Sequence, residues 1–334
     1  MNSFDSNDPT IALSPLADPV ASAIFANAEV AGLSAESLIR ATLKTDGDSK
    51  LLGKIVRVTP QRSHTAPRIR GCRVDVDTES NANEHVVFEI QMDLDSHIMQ
   101  RDLFSASHIF IGTSSVGDTS AQMAAKMPRV IYINILGYNI RKDNRDMVQP
   151  FKVLYTKTPQ RVAVHNFGGY NIQLPRVLEM KPDFTNSLYC WCYTLYTAHL
   201  EGKTVQEVIA VTPALQAYAE QDTGYRQFCE QYRLVVASPE TRKEYALWVD
   251  AMMREEGLRE GYRQLGREDV MEEAEEKIQE IRIEAEDKIQ EAAEKIQEAA
   301  EKIHAIVRNL KNKGISNEII AETMPLSLGE IESL

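Results

Sequence analysis

Asp75 and Glu89 are the residues whose types and spacing could do chemistry. They lie in two period-two runs, RVDVDTE (73–79) and HVVFEIQMD (85–93), joined by Ser80-Asn81-Ala82-Asn83. In the first run Val74 and Val76, with Cys72 just before, share one parity, while Arg73, Asp75, Asp77 and Glu79 share the other. In the second, Val86, Phe88, Ile90 and Met92 alternate with His85, Glu89, Gln91 and Asp93. Two such runs around a short polar turn read as a β-hairpin. Directly opposed residues on antiparallel strands hold their Cβ atoms about 4.5–5.5 Å apart, so Asp75 and Glu89 can converge. Two carboxylates that close repel unless a cation sits between them. A hard divalent ion, shared with phosphate oxygens, resolves the conflict. Such an ion can activate a water and stabilise charge on a phosphoryl oxygen. Gln91 faces the same cleft and can orient that water.

The segment after the hairpin adds to this. Asp95 or Ser96 can cap a helix running to about Phe110. His97, Gln100, Arg101, Ser105 and His108 recur on it at helical spacing, opposite Ile98, Leu103, Ala106 and Phe110. With the apolar face on a sheet, Arg101 would border the carboxylates and could bind a phosphate bidentately. The plain alternative is an amphipathic hairpin whose polar face meets water, as antiparallel sheets often do. Asp77 and Asp93 share the polar parities and, as single acids near strand ends, are expected to be solvated. Asp18 is an additional acidic candidate, although Asp18-Pro19 already suits a helix N-cap followed by Pro at the first helical position.

Stepping outward, residues 18–25 and 34–43 read as helices, and 53–58 as a short strand. TPQRSHTAPR (59–68) reads as a loop because of its two prolines and polar residues. PRVIYINIL (128–136) is an apolar strand, 151–175 contains further strands, and 182–262 is mostly helical. Strand–strand–helix–strand order implies a mixed sheet with helices packed on it. From 274 to 310, Ala274, Ile278, Ile281, Ala285, Ile289, Ala292, Ile296, Ala299, Ile303, Ile306 and Leu310 follow at steps of four or three. The consecutive four-steps at Ile281–Ala285–Ile289 are a stutter. The stripe argues for a coiled coil and self-association; i,i+4 Glu–Lys pairs such as Glu284/Lys288 would also support a solvated single helix. The end, 314–334, reads as two short helices, with Ser316 as one cap and Ser327-Leu-Gly-Glu330 as a capping box. They resemble a helix-turn-helix that lacks a third helix; a simple terminal cap is the alternative.

The chain has 334 residues, 43% apolar and 26% charged, which suits a globular protein of one large or two ordinary domains. No uncharged apolar run of membrane-spanning length occurs, and the N-terminus MNSFDSNDPT lacks the features of a secretory signal, so a cytoplasmic protein without a membrane partner is expected. Cys72, Cys190, Cys192 and Cys229 lack disulfide or zinc-site spacing and are expected to be reduced thiols. The net charge of −12 argues against nucleic acid, but half of it sits in residues 268–313, with 14 acidic and 8 basic residues. Residues 50–73 carry Lys50, Lys54, Arg57, Arg62, Arg68, Arg70 and Arg73 without one acid, a candidate phosphate-binding stretch. A solvated charged loop explains that stretch equally well. Gly202-Lys203-Thr204 lacks the upstream glycine of a phosphate loop, and no GxSxG occurs.

Asp75, thirteen intervening residues, then Glu89-Ile90-Gln91, followed by a helix bearing Gln100-Arg101, resembles the D…(D/E)xK core of the PD-(D/E)XK nuclease superfamily. More narrowly, LSPLADPVASAIF, IVRVTPQR, RGCRVDVDTE, VVFEIQMD, HIMQRDLFSAS and KMPRVIYINIL resemble the bacterial recombination-promoting nuclease (Rpn) or PD-(D/E)XK nuclease family transposase group, over about residues 12–265. The resemblance implies an α/β, restriction-endonuclease-like mixed sheet flanked by helices, with a helical extension and a C-terminal coiled coil. It gives a disordered 1–10, a core over 11–180, an extension over 181–265, a coiled coil over 268–312 and a cap over 314–334. It implies a metal-dependent DNA endonuclease linked to recombination or mobile elements. Asp75, Glu89 and the Ile90 backbone carbonyl would hold Mg²⁺ or Mn²⁺. Asp75, Glu89 and Gln91 would be catalytic, and Arg62, Arg68, Arg70, Arg73, Gln100 and Arg101 would bind DNA. A homo-oligomer would form through 274–310. Gln91 stands where the superfamily usually has Lys; this group commonly carries Gln there, and Arg73 or Arg101 would have to supply the missing charge. Val74 stands in place of the motif's Pro. The competing reading is a catalytically degenerate DNA-binding or coiled-coil scaffold. A strand-transferring transposase is a third, with nothing in the sequence that encodes end recognition.

Overall fold

The computed structural model describes residues 8, 11–26, 28–46, 53–66, 69–115, 117–140, 145–265, 268–317, 319–320 and 331. The side chains of 28–31, 46, 63–66, 69–74, 159–160, 259–265, 268–276, 292–294, 296–297 and 299–300 fall outside that description. The expected capping box at Ser327 therefore lies outside the described residues, as does the expected disordered N-terminus but for residue 8.

Six strands form one mixed sheet. They are β1 (Ile55–Ala66), β2 (Ile69–Ser80), β3 (Glu84–Gln91), β4 (Arg129–Leu136), β5 (Val148–Tyr155) and β6 (Thr158–Gln173), in the order β1-β2-β3-β4-β6-β5. The β1–β2, β2–β3 and β5–β6 pairs are antiparallel, whereas β3–β4 and β4–β6 are parallel. The helices are α1 (Asp18–Ala26), α2 (Ala28–Leu43), α3 (Ile98–Gly112), α4 (Ser120–Lys126), α5 (Pro175–Glu179), α6 (Ser187–Glu201), α7 (Val205–Ala210), α8 (Pro213–Gln221), α9 (Thr223–Ala237), α10 (Pro239–Leu265) and α11 (Glu268–Asn312). This is the flanked, mixed-sheet α/β fold expected from the sequence. The expected loop at 59–68 is instead strand as far as Ala66: β1 finds a long partner in β2, and that pairing outweighs its turn-forming composition.

Both faces of the central strands are covered. Val86 and Phe88 are buried on one side, where the Phe88 ring stacks on Phe25 of α1 with centroids 6.2 Å apart. On the other, Val87, Val130, Tyr132 and Phe167 pack with Ala106 and Ile109 of α3. Phe151 closes this layer and leaves room only for glycine at 169, where a Cβ would lie 2.6 Å from the ring. A long connection between parallel strands accounts for α3: β3 and β4 cannot be joined by a tight turn, and the crossover helix lies on the sheet.

Residues 6–245 form one compact unit, and residues 246–334 belong to a second. In the first, α6 and α9 pack on α2 around Trp191, whose indole N–H donates to Ser37 Oγ at 3.2 Å. Cys190, Cys192 and Cys229 are buried free thiols there, as expected; the Cys72 side chain is among those not described. The Gly-Lys-Thr stretch has a structural role. Gly202 ends α6 at φ 57°, and Thr204 caps α7 in a capping box with Glu207.

In the second unit, Arg282 of α11 forms a two-bond ion pair with the buried Glu255 of α10, at 2.6 and 2.8 Å. Leu247, Ala251, Ile281 and Ala285 line one groove beside it. Farther along, Ile303, Val307 and Leu310 pack with Ile315, Ile320 and Ile331. Both ends of the expected Ile/Ala stripe are thus partly covered by the chain's own helices. At the distal end Val307 is buried and Ile306 is exposed, a one-residue rotation from the expected spacing. Among the described residues no helix is long and apolar enough to cross a membrane.

Candidate active site

The β2–β3 ladder ends at Val76–Phe88; one step further in the same register, Asp75 stands opposite Glu89. There the Asp75 side chain replaces the backbone pairing: its Oδ2 accepts the Ile90 N–H at 2.7 Å. The strands part at this point, and the two carboxylates flank the opening. A small cleft lined by Asp18, Ala21, Ser22, Gln61, Asp75 and Ile90 adjoins it, so Asp18, the first residue of α1, does reach the acidic site.

Glu89 is 7% exposed. Burial first, and then the facing Asp75, hold its carboxyl well above the usual carboxylate range, while Arg101 pulls the other way. The one cation beside it among the described residues is that Arg101, with Nη2 at 3.8 Å from Glu89 Oε2. The guanidinium is shared. Its Nη1 donates to Gln91 Oε1 at 3.1 Å and to Asp95 Oδ2 at 2.9 Å. Against its own burial, the Glu89 and Asp95 carboxylates raise the Arg101 pKa further. Gln91 is oriented at both ends, since its Nε2 donates to the Asp93 carbonyl at 3.2 Å. Against burial, the His97 N–H and Arg101 lower the Asp95 pKa.

The polar parity of the hairpin is partly covered, with Asp77, Val87 and Glu89 buried. Val87 shares it and packs under α3, which explains why Glu89 is buried. The face of α3 also differs from expectation. Ile98, Asp102, Ser105, Ala106, His108 and Ile109 are buried, and Leu103 is 56% exposed. The cause is a polar row on the sheet. Glu89 pairs in register with Asn134, Asn134 with Asn171, and Asn171 with Gln149. Asn134 Nδ2 donates to Asp102 Oδ2 at 2.7 Å and to Asn171 Oδ1 at 2.8 Å, so α3 turns a carboxylate inward to meet it. Burial pushes Asp102 up to about 7, although the Asn134 hydrogen bond opposes this. Asp102, Asn134 and Asn171 were absent from the sequence reading. The available signal was Asn134, the lone amide inside an otherwise apolar strand.

Asp77 is the second difference. It is fully buried rather than solvated, accepting from Arg62 Nη1 at 2.9 Å and lying 2.9 Å from His85 Nδ1. Glu79 binds Arg57 and Arg62, which bring its pKa below the ordinary value in spite of burial. Asp77, Glu79 and His85 bring three potential ligand atoms within 4.8 Å of one another. The Arg62 guanidinium already supplies the cation there, so this trio needs no metal. Arg62 thus directs its charge inward, and the exposed Arg57 is held on Glu79. Gln100 is exposed beside Arg101. Arg68 lies outside the described residues, as do the side chains of Arg70 and Arg73.

With this geometry in place, the comparison with known families is decisive. A family model described as PD-(D/E)XK nuclease family transposase matches residues 37–256, so the chain belongs to that family. The match includes every strand and both hairpin carboxylates, and it begins after Asp18. No curated protein matches the chain, and no solved structure does.

Proposed function

We propose that the protein is a divalent-metal-dependent DNA endonuclease whose site is Asp75, Glu89, the Ile90 carbonyl and Gln91. The observation that carries the reading is the pair of facing carboxylates: Glu89 is buried opposite Asp75, and among the described residues the one cation beside it is a shared guanidinium at 3.8 Å. Oxygen donors arranged in this way suit Mg²⁺ or Mn²⁺, and nucleases of the PD-(D/E)XK family use divalent metals. When bound, such an ion lowers the pKa of a water and polarises a phosphoryl oxygen. The chain's own residues do the rest. Asp75 keeps the strands parted by taking the Ile90 N–H, which leaves the Ile90 carbonyl beside the opening. Gln91, held by Arg101 and the Asp93 carbonyl, is placed to orient the attacking water. Arg101, about half exposed, provides the positive charge that Gln91 lacks and can meet a phosphodiester oxygen. Gln100 and the arginines of β2 would add backbone contacts, and self-association through 274–310 would bring two sites to two strands.

Nicking of supercoiled plasmid with Mg²⁺ tests the reading beside Asp75→Ala and Glu89→Ala. Cleavage lost in both variants is the expected result. A folded wild-type protein inert with Mg²⁺ and Mn²⁺ alike would leave the degenerate scaffold. Light scattering that finds a single copy would remove the oligomer.

A further inference from the structure

The β5–β6 hairpin extends past the sheet. β6 has β4 beside it only from Phe167 to Gln173, so residues 158–166 and their β5 partners form a free two-stranded ribbon. Register shifts at Lys152/Val153, Val153/Leu154 and Leu154/Tyr155 bulge it, which increases its twist. Lys152, Val153, Leu154, Tyr155, Lys157 and Arg161 are all exposed. The charge on this part of the chain is one-sided: residues 147–178 contain no Asp or Glu, and the hairpin carries the exposed Lys152, Lys157 and Arg161, in a chain of net charge −12. A solvated edge hairpin in an acidic protein has no reason to exclude every acid over that length.

We infer that this ribbon is a second duplex-DNA contact, separate from the cleavage site. The inference rests on the nuclease reading for its partner. A two-stranded ribbon fits the major groove, about 12 Å wide. Lys157 and Arg161 would meet phosphates, and the exposed Val153, Leu154 and Tyr155 would meet sugars and base edges. Its position sets a distance. Asn171 shares the register level of Glu89, and Arg161 lies ten residues earlier on β6, at the opposite end from Gln173. At about 3.3 Å per residue, the six steps of β5 from Gln149 to Tyr155 and the ten of the bulged β6 put the ribbon roughly 20–30 Å from the level of the carboxylates. On a duplex rising about 3.4 Å per step, that is roughly six to nine base pairs. A duplex lying along β6 must therefore extend that far to one side of the cut to engage the ribbon.

The test is fluorescence anisotropy of the full-length protein with 30-base-pair and 10-base-pair duplexes in EDTA, across a salt series, for wild type and for Lys157→Ala/Arg161→Ala. The positions are exposed, and an unchanged melting temperature confirms that the variant folds. The variant is expected to bind the long duplex at least about tenfold more weakly. Its slope of log affinity against log salt should fall by about two, one per lost phosphate contact. Binding to the short duplex should not change. In cleavage, KM should rise on the long duplex with kcat retained. Equal affinity and slope in variant and wild type would overturn the inference, as would ribbon-dependent binding to anionic vesicles in place of DNA. A protein that cuts plasmid but ignores the ribbon substitution keeps the nuclease reading and loses this one. A protein that binds long duplexes through the ribbon but never cuts keeps this one and loses the nuclease reading.

Discussion

Two groups of acids sit side by side on the same hairpin and have opposite electrostatics. Asp77 is buried and Glu79 half-buried, with Arg62, Arg57 and His85 around them, and Glu79 is held below its ordinary range. Glu89, facing Asp75, is buried with one shared guanidinium at 3.8 Å and titrates well above it. The residue types are alike; the cations differ. Burial of a carboxylate costs several kcal/mol unless a partner offsets it. Where the chain supplies the partner, the cluster holds β1, β2 and β3 together. Where a single guanidinium is shared among Glu89, Gln91 and Asp95, the proposed metal would supply further positive charge.

Several substitutions would break this contrast. The largest effect belongs to chemistry: Glu89→Ala should lower plasmid cleavage by at least about 1000-fold, the scale of losing central transition-state stabilisation. Glu79→Ala, measured at a temperature where it is folded, should leave kcat within a few-fold. If both lose cleavage equally, the two groups are one site. Next is stability. Arg62→Ala strands Asp77 fully buried without its guanidinium and should cost about 3 kcal/mol in urea unfolding. A cost near zero would mean that the Arg62 bonds are not maintained in solution.

The pH dependence comes third and concerns Asp102. Its pKa is raised from 3.8 to about 7, so between those values the folded protein binds a proton that the unfolded chain has released. Stability from this group is therefore fully present below about pH 4 and is lost as pH rises through 7. The steepest loss is about 1.4 kcal/mol per pH unit. Asp102→Asn should flatten the stability profile between pH 5 and 8, read by thermal melts; a profile identical to wild type would refute the assignment. The last comparison is Glu89→Gln without divalent ions. Because the Glu89 charge is disfavoured in the fold, its removal should raise stability at neutral pH, whereas Glu79→Gln should cost about 1.5–3 kcal/mol through its charged hydrogen bonds. Mg²⁺ should then raise the melting temperature of wild type but not of Glu89→Gln.

Much of this was legible in the sequence, because period-two alternation and turn residues are local signals. Alternation located the hairpin, and the Asp75–Glu89 spacing matched its register. The 3.6-residue periodicity located α3, and the apolar run located β4. Other parts were not legible for physical reasons. The loop-like composition of 59–68 yields to strand pairing with a distant partner. The inward face of α3 depends on an amide 32 residues away, so Leu103 looked like core and nothing local marked Asp102. Arg62 looked like a free DNA contact because its acids lie across a strand pair.

Local residue types were enough to locate the β2–β3 hairpin, α3 and β4, and to put an acid–acid–amide trio on adjacent strands, because these signals lie a few positions apart. Only the tertiary structure decided which acids have cations. That depends on distances between side chains from β1, β2, β3 and α3, which are remote in sequence and meet only when both faces of the sheet are covered.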